Sequence, residues 1–276
     1  QAGTFRMTVR IEDHGAVRTI IHERYEVRNA MDPESAEALY AAFKEFEDDA
    51  EMSVAVLFGA GGAFCAGWDL KYAATLMNTP DPMAPYAYPE TGGHSLVPRG
   101  PMGPTRMRLS KPVIAAIEGP AVAGGMEIAL WCDIRVMASD AYMGVYCRRW
   151  GVPLVDGGTV RLPRLIGHGR ALDIILTGRK VTAEECHRIG LCERLVAPGQ
   201  ARQEAEALAA EIATFPQLCV RADRASVYAQ HGRSIEEGMR GEFAGGQLPL
   251  QEEGLAGATR FSSGSGRHGD FDDGPS

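Results

Sequence analysis

The sequence lacks the local signatures of most metal and nucleotide sites. Its six cysteines and seven histidines show no CxxC, HxxxH or HExxH spacing, so no zinc-ligand pattern is present. The glycine-rich stretch at residues 59–64 departs from GxGxxG at its last position, and the P-loop and GxSxG motifs are absent. These absences argue against a metalloenzyme, a dinucleotide- or P-loop nucleotide-binding protein, and a serine esterase.

Long hydrophobic runs and clusters of positive charge are also missing. The longest apolar runs, such as residues 54–58, fall far short of the roughly 20 residues that span a bilayer. Lys and Arg number 28 against 36 Asp and Glu, a net charge of -8, which disfavours a nucleic-acid partner. No apolar signal-like segment opens the sequence at residues 1–10. We expect a cytoplasmic enzyme without a membrane or nucleic-acid partner.

The first part of the chain alternates between strand and helix patterns. Residues 8–12 and 17–22 predict a hairpin, and residues 53–58 predict a buried strand. Between them, Asp32 and Pro33 predict the start of an amphipathic helix, because they suit the N-cap and the first helical position.

The middle of the chain repeats this alternation after an unusual insertion. Residues 79–104 contain seven prolines and four glycines, which predicts a long surface loop that acts as a lid or binding loop. A strand at 112–117, a tight loop at 119–125, a helix at 126–132 and a strand at 133–138 are predicted next. The repeated order predicts an α/β core with parallel strands.

Beyond residue 157 the pattern is helical. Helices are predicted at 161–166, 170–176, 183–189, 201–214, 218–230 and 234–241. We therefore predict a core at 1–198, a C-terminal helical segment at 199–261, and a disordered tail at 262–276, where apolar residues are nearly absent.

Two glycine-bearing turns, at residues 64–70 and 119–127, follow predicted buried strands. Glycine lets a backbone approach a ligand closely, and a helix that begins just after the turn presents free N–H groups. Two such turns are able to form an oxyanion hole. The alternative is that these glycines only shape tight strand-to-helix turns.

Four segments carry a resemblance to a known family. They read FCAGWDLK (64–71), KPVIAAIEGPAVAGGMEIAL (111–130), GVPLVDGGTVRLPRLIG (151–167) and LTGRKVTAEE (176–185). Together they resemble the enoyl-CoA hydratase/isomerase (crotonase) family over about residues 8–261. The resemblance implies a crotonase-like spiral of β-β-α units with a C-terminal helical trimerisation segment. It also implies a homotrimer or dimer of trimers, acyl-CoA thioester substrates, no metal, and no cofactor besides the CoA of the substrate.

The resemblance assigns roles to residues on both turns. The backbone N–H groups of Trp68 and Gly124 form the oxyanion hole that it implies, and such donors typically contribute about a hundred- to a thousandfold in rate each. The residues that it places at substrate or CoA contacts are Arg28, Ala30, Ala66, Asp69, Leu70, Lys71 and Cys147. For Arg28 and Lys71 the alternative is a plain solvated charge.

The resemblance implies that a hydratase uses paired carboxylates: one takes a proton from water, and the other delivers a proton to the α-carbon. Glu127 matches the first carboxylate. Cys147 stands at the position of the second, and a thiol does not bind water as a carboxylate does. Asp156, one position beyond a functional aspartate of some members, is either the second acid or base or the N-cap of a helix beginning at Gly157.

Three functions remain open on these grounds. The first is an enoyl-CoA hydratase-like lyase that uses Glu127 with Asp156 or a bound water. The second is a double-bond isomerase in which Glu127 alone moves a proton between C2 and C4. The third is a non-catalytic protein that binds acyl-CoA or RNA. Methionines and tyrosines among the prolines of residues 79–104 favour a bulky or long apolar acyl group, unless this loop only packs on a neighbouring subunit.

Overall fold

The computed structural model describes residues 8–266 of the chain. It begins with the predicted hairpin, in which β1 (Val9–His14) pairs in antiparallel register with β2 (Val17–His22). Gly15 in the connecting turn has a φ of 58°, a conformation that glycine adopts without strain. The hairpin prediction is confirmed.

The first helix, α1 (Pro33–Asp48), begins at the predicted residue. The Asp32 side chain accepts a hydrogen bond from the Ser35 N–H at 2.8 Å, so it caps one of the free donors of the first turn. The apolar face of the helix is buried, and its members are Ala36, Leu39, Ala42, Phe43 and Phe46.

A six-stranded sheet forms the centre of the fold. Its strand order is β1, β2, β3 (Val54–Gly59), β4 (Val113–Ile117), β6 (Ile134–Ala138) and β9 (Arg194–Val196), and all neighbours except β1 and β2 are parallel. Alternate residues of β3 and β4 face opposite sides, and both sides are covered. The strands are therefore continuous apolar runs, as is usual for buried parallel sheets.

A second, three-stranded sheet lies beside the first. It contains β5 (Pro120–Val122), β7 (Tyr142–Gly144) and β8 (Val181–Thr182), with β5 parallel and β8 antiparallel to β7. The predicted tight loop at 119–125 therefore contains a short strand, and α3 (Gly124–Trp131) begins two residues earlier than predicted. The unit β4-β5-α3 is one turn of the predicted spiral of β-β-α units.

The proline-rich loop is held by arginine side chains. After α2 (Leu70–Thr75), residues 79–104 form only short 3₁₀ turns, as their composition predicts. Arg99 Nε donates to Glu37 on α1 at 2.7 Å, and Arg106 Nη1 donates to the Tyr86 carbonyl at 2.6 Å. These contacts place one part of the loop over the site described below.

Helices complete the described chain. They are α4 (Gly158–Ile166), α5 (His168–Thr177), α6 (Ala183–Ile189), α7 (Ala201–Ala213), α8 (Gln217–Ala229), α9 (Ile235–Pro249) and α10 (Leu255–Ser262). A π-helical turn, Leu250–Gly254, joins α9 to α10, so this helical stretch runs well beyond the predicted 234–241. No helix within residues 8–266 is long and apolar enough to cross a membrane.

Of the two predicted boundaries of the C-terminal segment, the first is not tested and the second lies inside a helix. Helix α7 packs on β3, β4 and β6, so the division at residues 198 and 199 stays a prediction. Ser262 is the last residue of α10 rather than the first of a disordered tail, because Ser262 Oγ donates to the Thr259 carbonyl at 2.8 Å and continues the helical turn. Most of the predicted tail, residues 267–276, lies outside the described residues.

Candidate active site

A cavity of about 530 Å³ lies where the two glycine-bearing turns meet. Ala66 and Trp68 line it from the first turn, and Ala123 and Gly124 line it from the second. Three polar side chains, from Glu127, Cys147 and Asp156, also belong to its wall. The other lining residues are mostly apolar and are Arg28, Leu70, Pro82, Met83, Pro101, Met102, Pro120, Val122, Tyr142, Tyr146, Trp150, Gly151, Val152, Pro153 and Val155.

The first turn presents the backbone N–H of Trp68. Met31 and Trp68 form an isolated parallel bridge, in which Met31 N donates to the Gly67 carbonyl at 2.7 Å and Asp69 N donates to the Met31 carbonyl at 2.8 Å. In such a bridge the N–H of the central residue points away from the partner strand. The Trp68 N–H therefore points away from Met31, and Trp68 lines the cavity.

The second turn presents the backbone N–H of Gly124. This residue is the first of α3, so its N–H has no acceptor within the helix. Ala123 before it has a φ of 54°, an unusual value for a residue with a side chain, and its own N–H donates to the Gly144 carbonyl at 2.8 Å. This strained alanine fixes the direction of the Gly124 N–H.

The two turns are in direct contact. A Cβ added to Gly67 would lie 3.1 Å from Gly124 N and 2.8 Å from Ala123 Cβ, so only glycine lets them approach this closely. The predicted donors, Trp68 and Gly124, are therefore brought together at one cavity. The glycines shape the turns and at the same time bring two N–H groups to one place.

Glu127 lies one helical turn beyond Gly124 and is 3% exposed. Its Oε1 accepts hydrogen bonds from the backbone N–H groups of Asp156 and Gly158, both at 2.9 Å. Gly158 is the first residue of α4, so the glutamate side chain caps that helix. Burial, with the charge of Asp156, raises the pKa of Glu127 to about 7, although the two N–H groups and Arg161 oppose this shift.

Asp156 is buried beside Glu127 and is held by the end of the proline-rich loop. Its Oδ1 accepts hydrogen bonds from the Met102 N–H at 3.2 Å and from the Thr105 hydroxyl. Its Oδ2 is buried and has no partner among residues 8–266. Burial raises the pKa of Asp156, against the effect of these hydrogen bonds. The N-cap position of α4 is Gly157, so the capping interpretation of Asp156 was wrong.

Cys147 lies in the 3₁₀ turn Tyr146–Trp150 and is buried in the cavity wall. Burial and the nearby charge of Glu127 raise the pKa of its thiol, so it is neutral near pH 7. A neutral thiol offers the cavity a small apolar surface in place of a second free carboxylate.

The predicted CoA contacts fall into two groups. Arg28, Ala66 and Leu70 line the cavity, and so do Trp68 and Cys147. Ala30, Asp69 and Lys71 are outside the lining set. The Ala30 carbonyl accepts from Arg24 at 2.8 Å, Asp69 pairs with Arg24 at 2.7 Å, and Asp69 also caps α2 by accepting from the Lys71 N–H at 2.9 Å. Asp69 therefore shapes the turn, while the Lys71 side chain is exposed.

Several residues of the site were missed by the sequence analysis. The aromatic wall of Tyr142, Tyr146 and Trp150 had a detectable signal, since these residues recur every fourth position around Cys147. Thr105 and Arg161 had none, because their contacts join distant segments. Within residues 8–266 no group of three or more His, Cys, Asp and Glu side chains is placed to hold a metal ion.

Comparison with known proteins gives a consistent result. The enoyl-CoA hydratase EchA19 of Mycobacterium tuberculosis is 36% identical over 219 residues, which are 77% of this chain and 77% of that protein. Carnitinyl-CoA dehydratase of Salmonella arizonae is 34% identical over 235 residues, 84% of this chain and 85% of that protein. A solved enoyl-CoA hydratase from Mycobacterium tuberculosis H37Rv superposes with a TM-score of 0.82 and 32% identity, over 94% of this chain and 96% of that one.

A model of the enoyl-CoA hydratase/isomerase family matches residues 12–245, which is most of the chain. The two adjoining N–H donors, the buried glutamate beside them and this match agree. The chain belongs to the enoyl-CoA hydratase/isomerase family and acts on acyl-CoA.

Proposed function

We propose that this protein catalyses the reversible addition of water to the double bond of a 2-enoyl-CoA thioester. The observation that carries the proposal is Glu127, a carboxyl group that lines the cavity beside two free N–H groups and whose pKa lies at about 7. A group with this pKa takes up and releases protons readily near neutral pH.

The thioester oxygen binds between the N–H groups of Trp68 and Gly124. As a nucleophile adds to C3, negative charge develops on this oxygen, and fixed donors stabilise the charge without reorganisation. The close approach of the two turns supports this role, because a Cβ added to Gly67 would lie 3.1 Å from Gly124 N and would push the donors apart. The CoA part of the bound substrate extends from the cavity past Arg28 and Leu70. No cofactor beyond the CoA of the substrate takes part.

Glu127 accepts the proton of the attacking water, and Asp156 or a bound water delivers a proton to C2 and is reprotonated by the proton that Glu127 then releases. The hydrogen bonds that Glu127 Oε1 accepts from Asp156 and Gly158 leave its Oε2 for the water. Dehydration follows the same steps in the opposite order, and in it Glu127 donates a proton to the leaving hydroxyl.

The test is the loss of enoyl-thioester absorbance when crotonyl-CoA and longer 2-enoyl-CoAs are added. Glu127→Gln should lower kcat by at least about a hundredfold, the usual effect of a positioned acid or base. Glu211→Gln, an exposed glutamate on α7, is the matched control and should leave kcat unchanged. A Glu127→Gln protein with near-full turnover on its best substrate would contradict the proposal.

Isomerisation of a 3-enoyl-CoA is the second candidate. It is favoured by the neutral thiol of Cys147 and by the buried Oδ2 of Asp156, which leave Glu127 as the accessible carboxyl group. A single base that moves a proton between C2 and C4 suffices for this reaction. A rise in conjugated-thioester absorbance from 3-enoyl-CoA, without hydration of the 2-enoyl product, would select the isomerase.

The acyl group is bulky or long and apolar. Pro82 and Met83 of the proline-rich loop line one part of the cavity, and the aromatic wall of Tyr142, Tyr146 and Trp150 lines another. Methionine and aromatic side chains cover large apolar surfaces of irregular shape.

The protein assembles as a homotrimer or a dimer of trimers through its C-terminal helices. Large apolar side chains are exposed along α9, including Ile235, Met239 and Phe243. Surface of this kind usually marks a contact with another protein. A cytoplasmic location stays a prediction.

A further inference from the structure

Thr105, a buried residue at the end of the proline-rich loop, is connected to Glu127 by a short series of hydrogen bonds. The Thr105 hydroxyl donates to Asp156 Oδ1, and the Asp156 N–H donates to Glu127 Oε1 at 2.9 Å. Asp156 therefore contacts Thr105 through its side chain and Glu127 through its backbone N–H.

Arg161 joins the same residues by a second route. Its Nη1 donates to the Asp156 carbonyl at 3.0 Å and its Nη2 donates to the Thr105 carbonyl at 2.7 Å. Thr105, Asp156 and Arg161 therefore form a closed ring of three contacts. Such a ring restricts the rotation of the Asp156 backbone, which sets the direction of the N–H that Glu127 receives.

Gly100 packs closely against the hydrogen bond between Thr105 and Asp156. A Cβ on this glycine would overlap both the Thr105 hydroxyl and Asp156 Oδ1. Gly100 also pairs with Gly103 across a turn, with Gly103 N donating to the Gly100 carbonyl at 2.9 Å. This turn carries Pro101 and Met102, which line the cavity, so the ring lies directly behind one part of the cavity wall.

We propose that Thr105 is a positioning residue that acts through Asp156 to orient Glu127 for proton transfer. The proposal rests on the proposed function of Glu127 as the group that exchanges protons with the substrate. It does not require Asp156 to transfer a proton, because the Asp156 side chain acts here as an acceptor and its backbone acts as a donor. Thr105 also ties the acyl-binding loop to the proton-transfer group.

The test measures hydration of the best 2-enoyl-CoA substrate at saturating concentration. In this reaction Glu127 accepts the proton of the attacking water, whereas butyryl-CoA has no double bond to hydrate and reports binding alone. Affinity for butyryl-CoA is measured separately by calorimetry. Thr105→Val removes the hydroxyl with little change in volume, Thr105→Ser retains it, and Thr159→Val, at an exposed threonine of α4, is the matched control.

We expect Thr105→Val to lower the kcat of hydration by at least about tenfold, with the Kd for butyryl-CoA within about twofold of wild type, because orientation affects the reaction more than binding. Thr105→Ser should restore most of the rate, and Thr159→Val should match wild type. If Thr105→Val does not fold, Arg161→Lys replaces it, since lysine keeps the charge but does not bridge two carbonyls as a guanidinium does.

Two results would overturn the inference alone: a wild-type rate of hydration by the folded Thr105→Val or Arg161→Lys protein, or a Thr105→Ser protein as slow as Thr105→Val. A wild-type protein that binds butyryl-CoA but hydrates none of the 2-enoyl-CoAs would overturn the proposed function and the inference together.

Discussion

At the scale of single residues, the site depends on how Glu127 is solvated. Its carboxyl group has exchanged water for two backbone N–H groups, and burial outweighs these hydrogen bonds in its effect on the pKa. The charged groups that face it are Asp156 and Arg161, and the neutral thiol of Cys147 lies near it as well. The glutamate therefore changes its protonation state in the range in which enzymes usually work.

The first prediction concerns the pH dependence of kcat/KM for hydration. If the ionised Glu127 is the base, activity should rise tenfold per pH unit below about 7 and level off above it, because the pKa of this group is about 7. A profile that is flat between about pH 5 and 8, or that falls with rising pH, would contradict this assignment.

The second prediction concerns stability. The pKa of Glu127 is about 7 in the folded protein against a reference value of 4.5, so the folded state binds this proton more tightly than the unfolded chain. The free energy of unfolding should therefore fall as pH rises from about 4.5 to about 7, by about 3 kcal/mol at most. Glutamine keeps an acceptor oxygen and does not ionise.

Glu127→Gln should accordingly unfold at higher denaturant concentration than wild type at about pH 8, and at nearly the same concentration at about pH 4. Chemical denaturation at both pH values checks this. A variant that is less stable than wild type at the higher pH would show that burial of the charge has little cost.

The third prediction concerns Gly158. A Cβ at this position would lie 3.0 Å from Glu127 Oε1 and 3.1 Å from Glu127 Cγ, so the glutamate must move. Gly158→Ala should lower kcat at least about tenfold, because small displacements of a reacting group are costly. Gly169→Ala is the control, since nothing lies within 4 Å of the added Cβ there. Equal activity of both variants would show that Glu127 tolerates displacement.

At the scale of elements, we expect the proline-rich loop to distinguish substrates. Met83 lines the cavity, whereas Met77 is 83% exposed. Met83→Ser should weaken the binding of a long acyl-CoA by about three- to tenfold through lost apolar contact and leave a short one unchanged. Met77→Ser should affect neither. Calorimetry with both ligands separates these outcomes, and an equal loss for both ligands would place Met83 outside the acyl site.

The elements also show what the sequence was able to predict. Helix α1 was found because its cap and its buried face are local features of Asp32 and the residues after it. The three-residue strand β5 was missed, because so short a strand has no periodicity and depends on pairing with β7. Ala123 gave no signal of its φ of 54°, since a residue with a side chain is held there only by its surroundings.

The site was predictable to the extent that it is local. Trp68, Gly124 and Glu127 lie in glycine-bearing motifs that can be read along the chain. The contact of Thr105 with Asp156 spans 51 positions, so it depends on how the loop returns to the core. Asp156 lines the same cavity as Glu127, but the partner of its side chain was not foreseen.

At the scale of the whole molecule, we expect the exposed apolar face of α9 to contact another copy of the chain. Ile235 is 84% exposed and Phe243 is 74% exposed. We expect light scattering at micromolar concentration to give the mass of three or six chains, and Phe243→Glu to give a lower mass, because a charge is costly in an apolar contact. A monomer at this concentration would contradict the proposed assembly.

The three tryptophans of the chain are unequally placed. Trp131 is buried against Phe43, and its ring nitrogen donates to the Met107 carbonyl at 3.1 Å. Trp68 and Trp150 both belong to the cavity wall, and Trp150 is 70% exposed. We expect an acyl-CoA that enters the cavity to displace water from the indole rings of Trp68 and Trp150 and to leave Trp131 unchanged. The intrinsic fluorescence of the protein is therefore an optical signal of occupancy, available for ligands that do not react.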